Sequence, residues 1–169
     1  MTDIRRYYRE GYIYFLTGVT HERNPILIKE IDIFLESIKK MKEQLPFKLI
    51  AWVFLPDHFH IIIDPKESNC SDIIHGIKLS FSSRYRKKHD MRSGILWQRR
   101  FWDHVIRNEK DMAKHINYIH FNPVKHGLVK DPFEYSWSSI HQFYKNDKIG
   151  WDETKCTEFK GNVKTDFGE

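Results

Sequence analysis

The sequence predicts a protein of the α+β class, and three observations support this prediction. Runs rich in β-branched and aromatic residues at 12–20, 47–55 and 58–63 are typical of buried strands. Between the first two runs, apolar residues recur at helical spacing over 27–44 with Lys and Glu among them, which predicts an amphipathic helix. The composition, with 40% hydrophobic and 30% charged residues, is that of a globular domain. Strands and helices should therefore share one core.

Prolines mark the boundaries of the first elements. The helix over 27–44 ends before Pro46, because proline lacks the backbone N–H that a helix interior needs. Pro56 and Asp57 supply a turn between the second and third strands. These two strands are therefore predicted to form a β-hairpin.

A second helix, a fourth strand and a third helix follow. Ser71 and Asp72 are suitable N-terminal caps for the second helix. The fourth strand is predicted at 100–107 and the third helix at 109–121, where Pro123 stops it. The resulting order, β-α-β-β-α-β-α, starts with the pattern of a ferredoxin-like split β-α-β sandwich, in which an antiparallel sheet packs against helices. A third helix is added to that core.

The chain is predicted to form one domain with a short tail. A length of 169 residues is too small to make two domains the expectation. After Tyr144 the sequence becomes polar and weakly patterned, so the domain should span 1–144 and the tail 145–169. No apolar run approaches the roughly 20 residues that cross a bilayer, and the first residues lack the apolar core of a signal peptide. We expect a soluble cytoplasmic protein.

Positive charge is concentrated in one segment. Residues 78–107 contain nine Lys or Arg against two Asp, although the whole chain carries a net charge of only +5. Such a segment is typical of a surface that binds phosphates, and aromatic residues within it favour an unpaired nucleic-acid strand. A solvated helix and loop is the alternative. Tyr85 and Trp97 are the candidates for stacking on bases. The candidate phosphate or base contacts are Arg84, Arg86, Lys87, Lys88, Arg99 and Arg100.

Two histidines lie one residue apart on the third predicted strand. Side chains alternate between the faces of a strand, so His58 and His60 project together while Phe59 enters the opposite, apolar face. Imidazole is the commonest protein ligand for divalent metals, but two ligands do not complete a site. The alternative is a pair of surface histidines on a half-exposed strand.

The third helix carries a second set of polar candidates. At 100° per residue, His115, Tyr118 and Asn122 share one face of the helix. An amide oxygen and a phenolic oxygen one turn apart suit a hard cation. The alternative is that the hydroxyl of Tyr118 lies in water and that Asn122 caps the helix. The predicted core stripe of this helix comprises Met112, Ile116 and Ile119.

Four sequence blocks resemble one family in order and spacing. They are PDHFHIIID, LWQRRFWDHVIRN, INYIHFNPVKHGLV and EYSWSSIHQF. Together they resemble the signatures of REP-associated tyrosine transposases, bacterial members of the single-tyrosine, His-hydrophobe-His transposase superfamily. The resemblance runs from about residue 7 to residue 144, so it identifies the predicted domain over 1–144 as a transposase domain.

The resemblance implies a metal-dependent enzyme that cleaves and rejoins single-stranded DNA at hairpin-forming repeats. It matches His58 and His60 to paired metal ligands, Asn122 to a third ligand and Tyr118 to the nucleophile, which would form a 5′-phosphotyrosine intermediate. Mg²⁺ or Mn²⁺ is the expected cofactor. Single-stranded DNA with hairpin repeats is the expected partner, and either a monomer or a homodimer is compatible with the family.

The residue types are suited to this chemistry. Two imidazoles and an amide oxygen leave coordination positions open, so a divalent cation can polarise a phosphate. The pKa of an unperturbed tyrosine is about 10, so Tyr118 needs a nearby cation or base, and either the metal or His115 is a candidate to assist it. Two alternatives remain open at this point: a non-catalytic DNA-binding regulator on the same scaffold, and a nuclease that uses water as its nucleophile.

Overall fold

The computed structural model describes residues 11–144, and the predicted tail at 145–169 lies outside this range. Its elements follow the predicted order. The strands are β1 (Tyr14–Val19), β2 (Lys48–Phe54), β3 (His58–Asp64) and β4 (Trp102–Val105). The α-helices are α1 (Ile31–Gln44), α2 (Cys70–Lys88), α3 (Glu109–Lys125) and α4 (Ile140–Tyr144), and short 3-10 helices occupy His21–Arg23 and Pro132–Glu134. Within the described range, every helix is too short or too polar to cross a membrane.

The four strands form one antiparallel sheet in the order β2-β3-β1-β4. The predicted hairpin joins β2 to β3, while β1 lies between β3 and β4. The register places Thr17 of β1 opposite His60 on one side and opposite Trp102 on the other. This arrangement is the predicted α+β, ferredoxin-like sheet, so that prediction is confirmed.

Helices cover both faces of the sheet. On one face, α1 and α2 pack against Phe59 and Ile61 of β3. On the other face, α3 packs against Phe15 of β1 and Ile62 of β3. Because successive strand residues point to opposite sides, His58 and His60 face α3. The third helix therefore closes over the histidine pair.

Three helix boundaries differ from the prediction. Helix α1 begins at Ile31 rather than at residue 27. The N-cap of α2 is Asn69, whose side chain accepts a hydrogen bond from the backbone N–H of Asp72 at 2.8 Å, rather than Ser71 or Asp72. Helix α3 continues through Pro123 to Lys125. Proline removes one hydrogen bond of the helix, but the last turn retains bonds from the N–H groups of residues 126 and 128 to the carbonyl oxygens of residues 122 and 123. Pro123 thus lies inside the final turn.

The orientation of α3 also differs from the prediction. Of the predicted core stripe, only Ile119 is fully buried, whereas Met112 and Ile116 are half-buried. The polar stripe faces the sheet instead: His115 is 3% exposed and Tyr118 is 1% exposed. The helix is rotated because its polar face meets the polar side chains of β3 and β1. The site is therefore buried between helix and sheet.

Gly18 lies opposite Phe59 in the β1–β3 pair, and a Cβ atom there would come within 2.4 Å of the Phe59 ring. Since that ring is buried in the core, we expect Gly18→Ala to lower the free energy of unfolding by about 1–3 kcal/mol. Urea denaturation measures this loss. In a Phe59→Leu background the smaller side chain should reduce the cost of the alanine, and an equal cost in both backgrounds would contradict the clash.

Candidate active site and metal centre

The structure brings the two predicted histidines of β3 next to the tyrosine of α3. His58 is 1% exposed and His60 is 0% exposed, so neither lies on a half-exposed surface. Their ring centroids are 5.1 Å apart, and the centroid of His60 lies 5.2 Å from that of Tyr118. A strand and a helix that are far apart in sequence thus form one polar cluster.

Each imidazole of the pair is held at its Nδ1 atom. Nδ1 of His58 lies 2.6 Å from Oδ1 of Asp57, and Nδ1 of His60 lies 2.7 Å from Oγ1 of Thr17. Hydrogen bonds of this kind orient metal-binding histidines, because they fix the ring and direct the other nitrogen, Nε2, to the ligand position. Thr17 and Asp57 therefore act as orienting residues, a role that the sequence did not reveal.

The charge of Asp57 fixes the proton of His58. Burial of this carboxyl group acts to raise its pKa, but the hydrogen bond to His58 and the nearby Arg23 guanidinium outweigh burial and lower the pKa from 3.8 to about 2. Arg23 lies 3.2 Å from Oδ2 of Asp57. An ionised Asp57 only accepts hydrogen bonds, so the Nδ1 atom of His58 donates. In the neutral ring, the lone pair that binds a metal is then on Nε2.

Asn122, the third predicted ligand, lies on the buried face of α3. It is 0% exposed and lies one helical turn after Tyr118. Because the helix extends beyond it to Lys125, Asn122 is not the helix cap. Within 11–144, the buried atoms Nε2 of His58 and Oδ1 of Asn122 make no hydrogen bond, although both residues have other contacts. Two imidazoles and a buried amide oxygen are a donor set that fits a divalent cation.

A lysine lies beside the predicted nucleophile. The Nζ atom of Lys125 donates a hydrogen bond to the phenolic oxygen of Tyr118 at 3.2 Å and lies 5.0 Å from the centre of its ring. Residues seven positions apart share a helix face, which brings the two together. The spacing of seven residues is a signal in the sequence that could have revealed this pair. A cation next to the phenol favours its ionised form.

The structure groups His115 with a second cluster. Its Nδ1 atom lies 2.8 Å from the carbonyl oxygen and 3.2 Å from Oδ1 of Asp111, and its ring stacks at 4.6 Å on that of His104. Burial lowers the pKa of His115, although the hydrogen bond to Asp111 acts in the opposite direction. The ring of Phe15 packs against His115 at 4.8 Å and against Tyr118 at 6.0 Å. The tyrosine oxygen accepts a hydrogen bond from Lys125, and the role of His115 as an assisting base stays a prediction.

His126, the residue after Lys125, packs against the histidine pair. Its ring centroid lies 4.8 Å from that of His58, and the side chain is otherwise exposed. His126 thus lies between His58 and solvent.

The predicted phosphate contacts divide into two groups. Arg84 and Lys87 near the end of α2 are exposed, as are Arg99 and Arg100 before β4. In contrast, Arg86 donates to the carbonyl oxygen of Gly94 at 2.6 Å. Lys88 pairs with Glu30 at 2.6 Å. Lys88 is itself exposed, so the two groups differ in their internal contacts. A polyanion can reach Arg84, Lys87, Arg99 and Arg100 without breaking such a contact.

The predicted stacking residues also divide. Trp97 is 7% exposed, belongs to the core formed with α1 and α2, and donates from its Nε1 atom to the carbonyl oxygen of Lys78 at 3.2 Å. The prediction that it stacks on bases is thus corrected, because its ring is buried. Tyr85 is half-buried, with its ring 5.7 Å from that of Phe81 and 4.3 Å from that of His89.

The block EYSWSS fixes α3 on the sheet. Ser139 exchanges backbone and side-chain hydrogen bonds with Trp52 of β2, and its Oγ atom lies 3.0 Å from Nε2 of His120 on α3. Tyr135 donates from its hydroxyl to the carbonyl oxygen of Phe54 at 2.7 Å. Burial lowers the pKa of His120 to about 3, so its ring is neutral at pH 7. We define residues 135–139 as the β2 strap, which connects the edge of the sheet with the tyrosine helix.

Comparisons with known sequences agree with the resemblance of the four blocks. The model of a family described as IS200-like transposases matches residues 9–122. A putative REP-associated tyrosine transposase of Haemophilus influenzae is 32% identical and aligns over 96% of this chain and 100% of that protein. A REP-associated tyrosine transposase of Escherichia coli is 37% identical over 84% of each chain.

A solved structure extends the similarity to three dimensions. It is the structure of a REP-associated tyrosine transposase bound to a REP hairpin, and it superposes with a TM-score of 0.80 at 34% sequence identity. The match covers 100% of this chain and 98% of that one. The same α+β architecture thus underlies both proteins.

Proposed function

The chain belongs to the family of IS200-like transposases, and on this premise we propose that it cleaves and rejoins single-stranded DNA at hairpin-forming repeats through a covalent tyrosine–DNA intermediate. The observation that carries the proposal is the cluster itself: the tyrosine of α3 packs against one of two buried, oriented imidazoles and has a lysine on its hydroxyl. A regulator that only binds DNA has no need of this arrangement.

His58, His60 and Asn122 are the residues that would hold a divalent cation, with Mg²⁺ or Mn²⁺ as the expected ion. The hydrogen bonds from Thr17 and Asp57 support this, because they fix both rings before any ion binds. When bound, the cation supplies Lewis-acid polarisation of the scissile phosphate.

Tyr118 acts as the nucleophile. Its phenolic oxygen attacks phosphorus, a bond forms between that oxygen and phosphorus, and the bond from phosphorus to the 3′-oxygen of the DNA breaks. The proton that leaves the phenol is balanced by the one that the released 3′-oxygen gains. The product is a DNA 5′-phosphate on the tyrosine and a free 3′-hydroxyl. Because one phosphodiester replaces another, a second 3′-hydroxyl can reverse the step without ATP.

Lys125 assists the tyrosine. Its ammonium group donates a hydrogen bond to the phenolic oxygen. The positive charge favours ionisation of the phenol to the phenolate that attacks phosphorus. Since Lys125 is exposed at the end of α3, its side chain can also reach the DNA backbone at the same time. A charge between nucleophile and solvent is well placed to draw the phosphate toward the tyrosine.

The DNA partner is proposed to be a repeat hairpin with unpaired flanking nucleotides. The related structure contains a REP hairpin, and the exposed side chains of Arg84, Lys87, Arg99 and Arg100 offer positive charge to a phosphate backbone on this chain. Binding should weaken as salt concentration rises, because each phosphate contact releases a condensed counterion.

Two preparations of a repeat-hairpin oligonucleotide from the source genome test the proposal. One is labelled at its 3′ end and the other at its 5′ end. After incubation with protein and Mn²⁺ and then denaturation, label from the 3′ end should stay on the protein, because the fragment downstream of the cut carries the 5′-phosphate. Label from the 5′ end should be released. A fully paired duplex serves as the control. Cleavage with neither label on the protein would show a water-using nuclease and refute the proposal.

Replacing Lys125 tests its role. We expect Lys125→Met to slow adduct formation by about 10- to 100-fold, equivalent to losing a charged hydrogen bond of about 1.5–3 kcal/mol. The loss should shrink as pH rises, because the phenol then ionises without help, and Lys125→Arg should retain much of the rate. Single-turnover adduct formation between pH 6 and pH 10 measures both effects. Lys130→Met, at an exposed lysine beyond the helix, is the control. An equal loss at every pH would assign Lys125 to DNA binding alone.

A further inference from the structure

A second group of metal-binding side chains lies at the other end of the tyrosine helix. Nε2 of His104 is 2.9 Å from Oδ2 of Asp111, and Nδ1 of His115 is 3.2 Å from Oδ1 of Asp111. One ligand atom from each of the three residues lies within 4.8 Å of the others. Among the described residues 11–144, these three side chains form the group of histidines and carboxylates that is spaced closely enough to hold a metal ion.

The fold gives this cluster its geometry. His104 on β4 lies opposite Phe15 of β1, and Phe15 lies opposite Ile62 of β3. The cluster is therefore two strands away from β3, which carries the histidine pair. It is level with Ile62, two residues beyond His60 on that strand. Asp111 and His115 are four residues apart on α3 and therefore share one face of the helix. The group thus joins the edge strand to the first turns of the helix.

The distances between ligand atoms of the cluster are close to those between ligand atoms around a bound ion. Tetrahedral coordination at about 2.0–2.1 Å places ligand atoms roughly 3.3 Å from one another. Two contacts of Asp111 approach this spacing: Oδ2 lies 2.9 Å from Nε2 of His104, and Oδ1 lies 3.2 Å from Nδ1 of His115. Nδ1 of His115 also lies 2.8 Å from the carbonyl oxygen of Asp111, a contact that the ring would give up on binding an ion through this atom. A small shift of the side chains then accommodates a cation in place of the direct contacts.

The cluster is partly enclosed. His115 is 3% exposed, while the side chains of His104 and Asp111 are 23% and 17% exposed. One side is therefore open to water, which can supply a fourth ligand. The backbone N–H of Arg107 donates to Oδ2 of Asp111 at 2.9 Å, and this contact orients the carboxylate in the way that outer-shell groups support metal ligands.

We propose that His104, Asp111 and His115 bind a late first-row divalent cation such as Zn²⁺, at a site separate from His58 and His60. Two imidazoles and one carboxylate suit such an ion, and the carboxylate neutralises part of its charge. The ion ties β4 to the first half of α3. It therefore holds the helix that carries Tyr118 in place against the sheet. This inference does not depend on the proposed transposition chemistry.

Co²⁺ binding to the full chain tests the site, because its absorption bands report a protein-bound ion independently of activity. We expect wild-type protein to bind two ions per chain and His104→Ala protein to bind one. The His58→Ala/His60→Ala protein should keep one ion, and a variant with all three substitutions should bind none. If the double variant fails to fold, the comparison of wild type with His104→Ala decides alone.

Thermal unfolding supplies a second readout. Zn²⁺ should raise the Tm of the His58→Ala/His60→Ala protein and not that of the variant that also carries His104→Ala, because an ion stabilises only a fold that binds it. Asp111→Asn keeps an acceptor for the Arg107 N–H but removes the negative charge, so it should weaken Co²⁺ binding without unfolding the protein. The proposal is overturned if His104→Ala leaves the number of bound ions unchanged, or if the double variant folds but binds no ion.

Discussion

Tyr118→Phe should abolish covalent attachment of DNA while leaving the protein folded and able to bind the same oligonucleotide. Removal of the nucleophile from a covalent enzyme costs on the order of 10⁶ in rate, so label on denatured protein should fall below detection. The phenyl ring still fills its place against His60 and Phe15. The hydrogen bond from Lys125 is lost, so the free energy of unfolding should change by about 1 kcal/mol or less.

Tyr135→Phe is the matched control for this experiment. Its hydroxyl also makes a partly buried hydrogen bond, to the carbonyl oxygen of Phe54, and burial raises its pKa to about 12, so it donates as a neutral phenol. We expect a similar loss of stability and normal adduct formation. Adduct formed by Tyr118→Phe at the wild-type rate would exclude Tyr118 as the nucleophile and direct attention to another tyrosine.

His58→Ala and His60→Ala should each abolish metal-dependent cleavage. Either substitution removes an imidazole from a buried pair, and a site left with one imidazole and one amide oxygen holds a divalent cation weakly. Cleavage is measured across a range of Mn²⁺ concentrations with DNA binding followed in parallel, since binding should persist. His75→Ala, at an exposed histidine of α2, is the control. Full activity of wild-type protein in EDTA would refute the role of a metal.

Asp57→Asn should give an intermediate result. The amide can still accept a hydrogen bond from Nδ1 of His58 but lacks the charge that fixes the proton there. We expect apparent Mn²⁺ affinity to fall by about 10- to 100-fold, with cleavage recovered at high Mn²⁺ concentration. A loss that high Mn²⁺ does not rescue would indicate that Asp57 supports the fold of the hairpin turn instead.

The order of strands and helices was predictable because each element carries its own pattern. The segments that form β1, β2 and β3 are rich in β-branched and aromatic residues, which predicts strands. Because His58 and His60 are separated by one residue, their side chains had to lie on the same face of the strand. The polar face of α3 followed from helical geometry in the same way. These are local properties of the chain, and sequence reports them directly.

Burial and pairing between distant segments were not predictable in the same way. Thr17 contacts His60 only because β1 and β3 pair in one particular register, and no local pattern reveals that register. Trp97 was assigned to a DNA surface because it lies among basic residues, but the packing of α1 and α2 buries it. The rotation of α3, which buries its polar face, likewise depends on what the opposing sheet offers.

The β2 strap has a consequence beyond holding α3. β2 is an outer strand of the sheet, and an outer strand presents unpaired N–H and C=O groups that can pair with another chain. The backbones of Trp137 and Ser139 bond to Phe54 and Trp52 and occupy those groups. Residues 135–139 therefore protect the sheet from aggregation by strand addition, at the same edge where they anchor the helix that carries Tyr118.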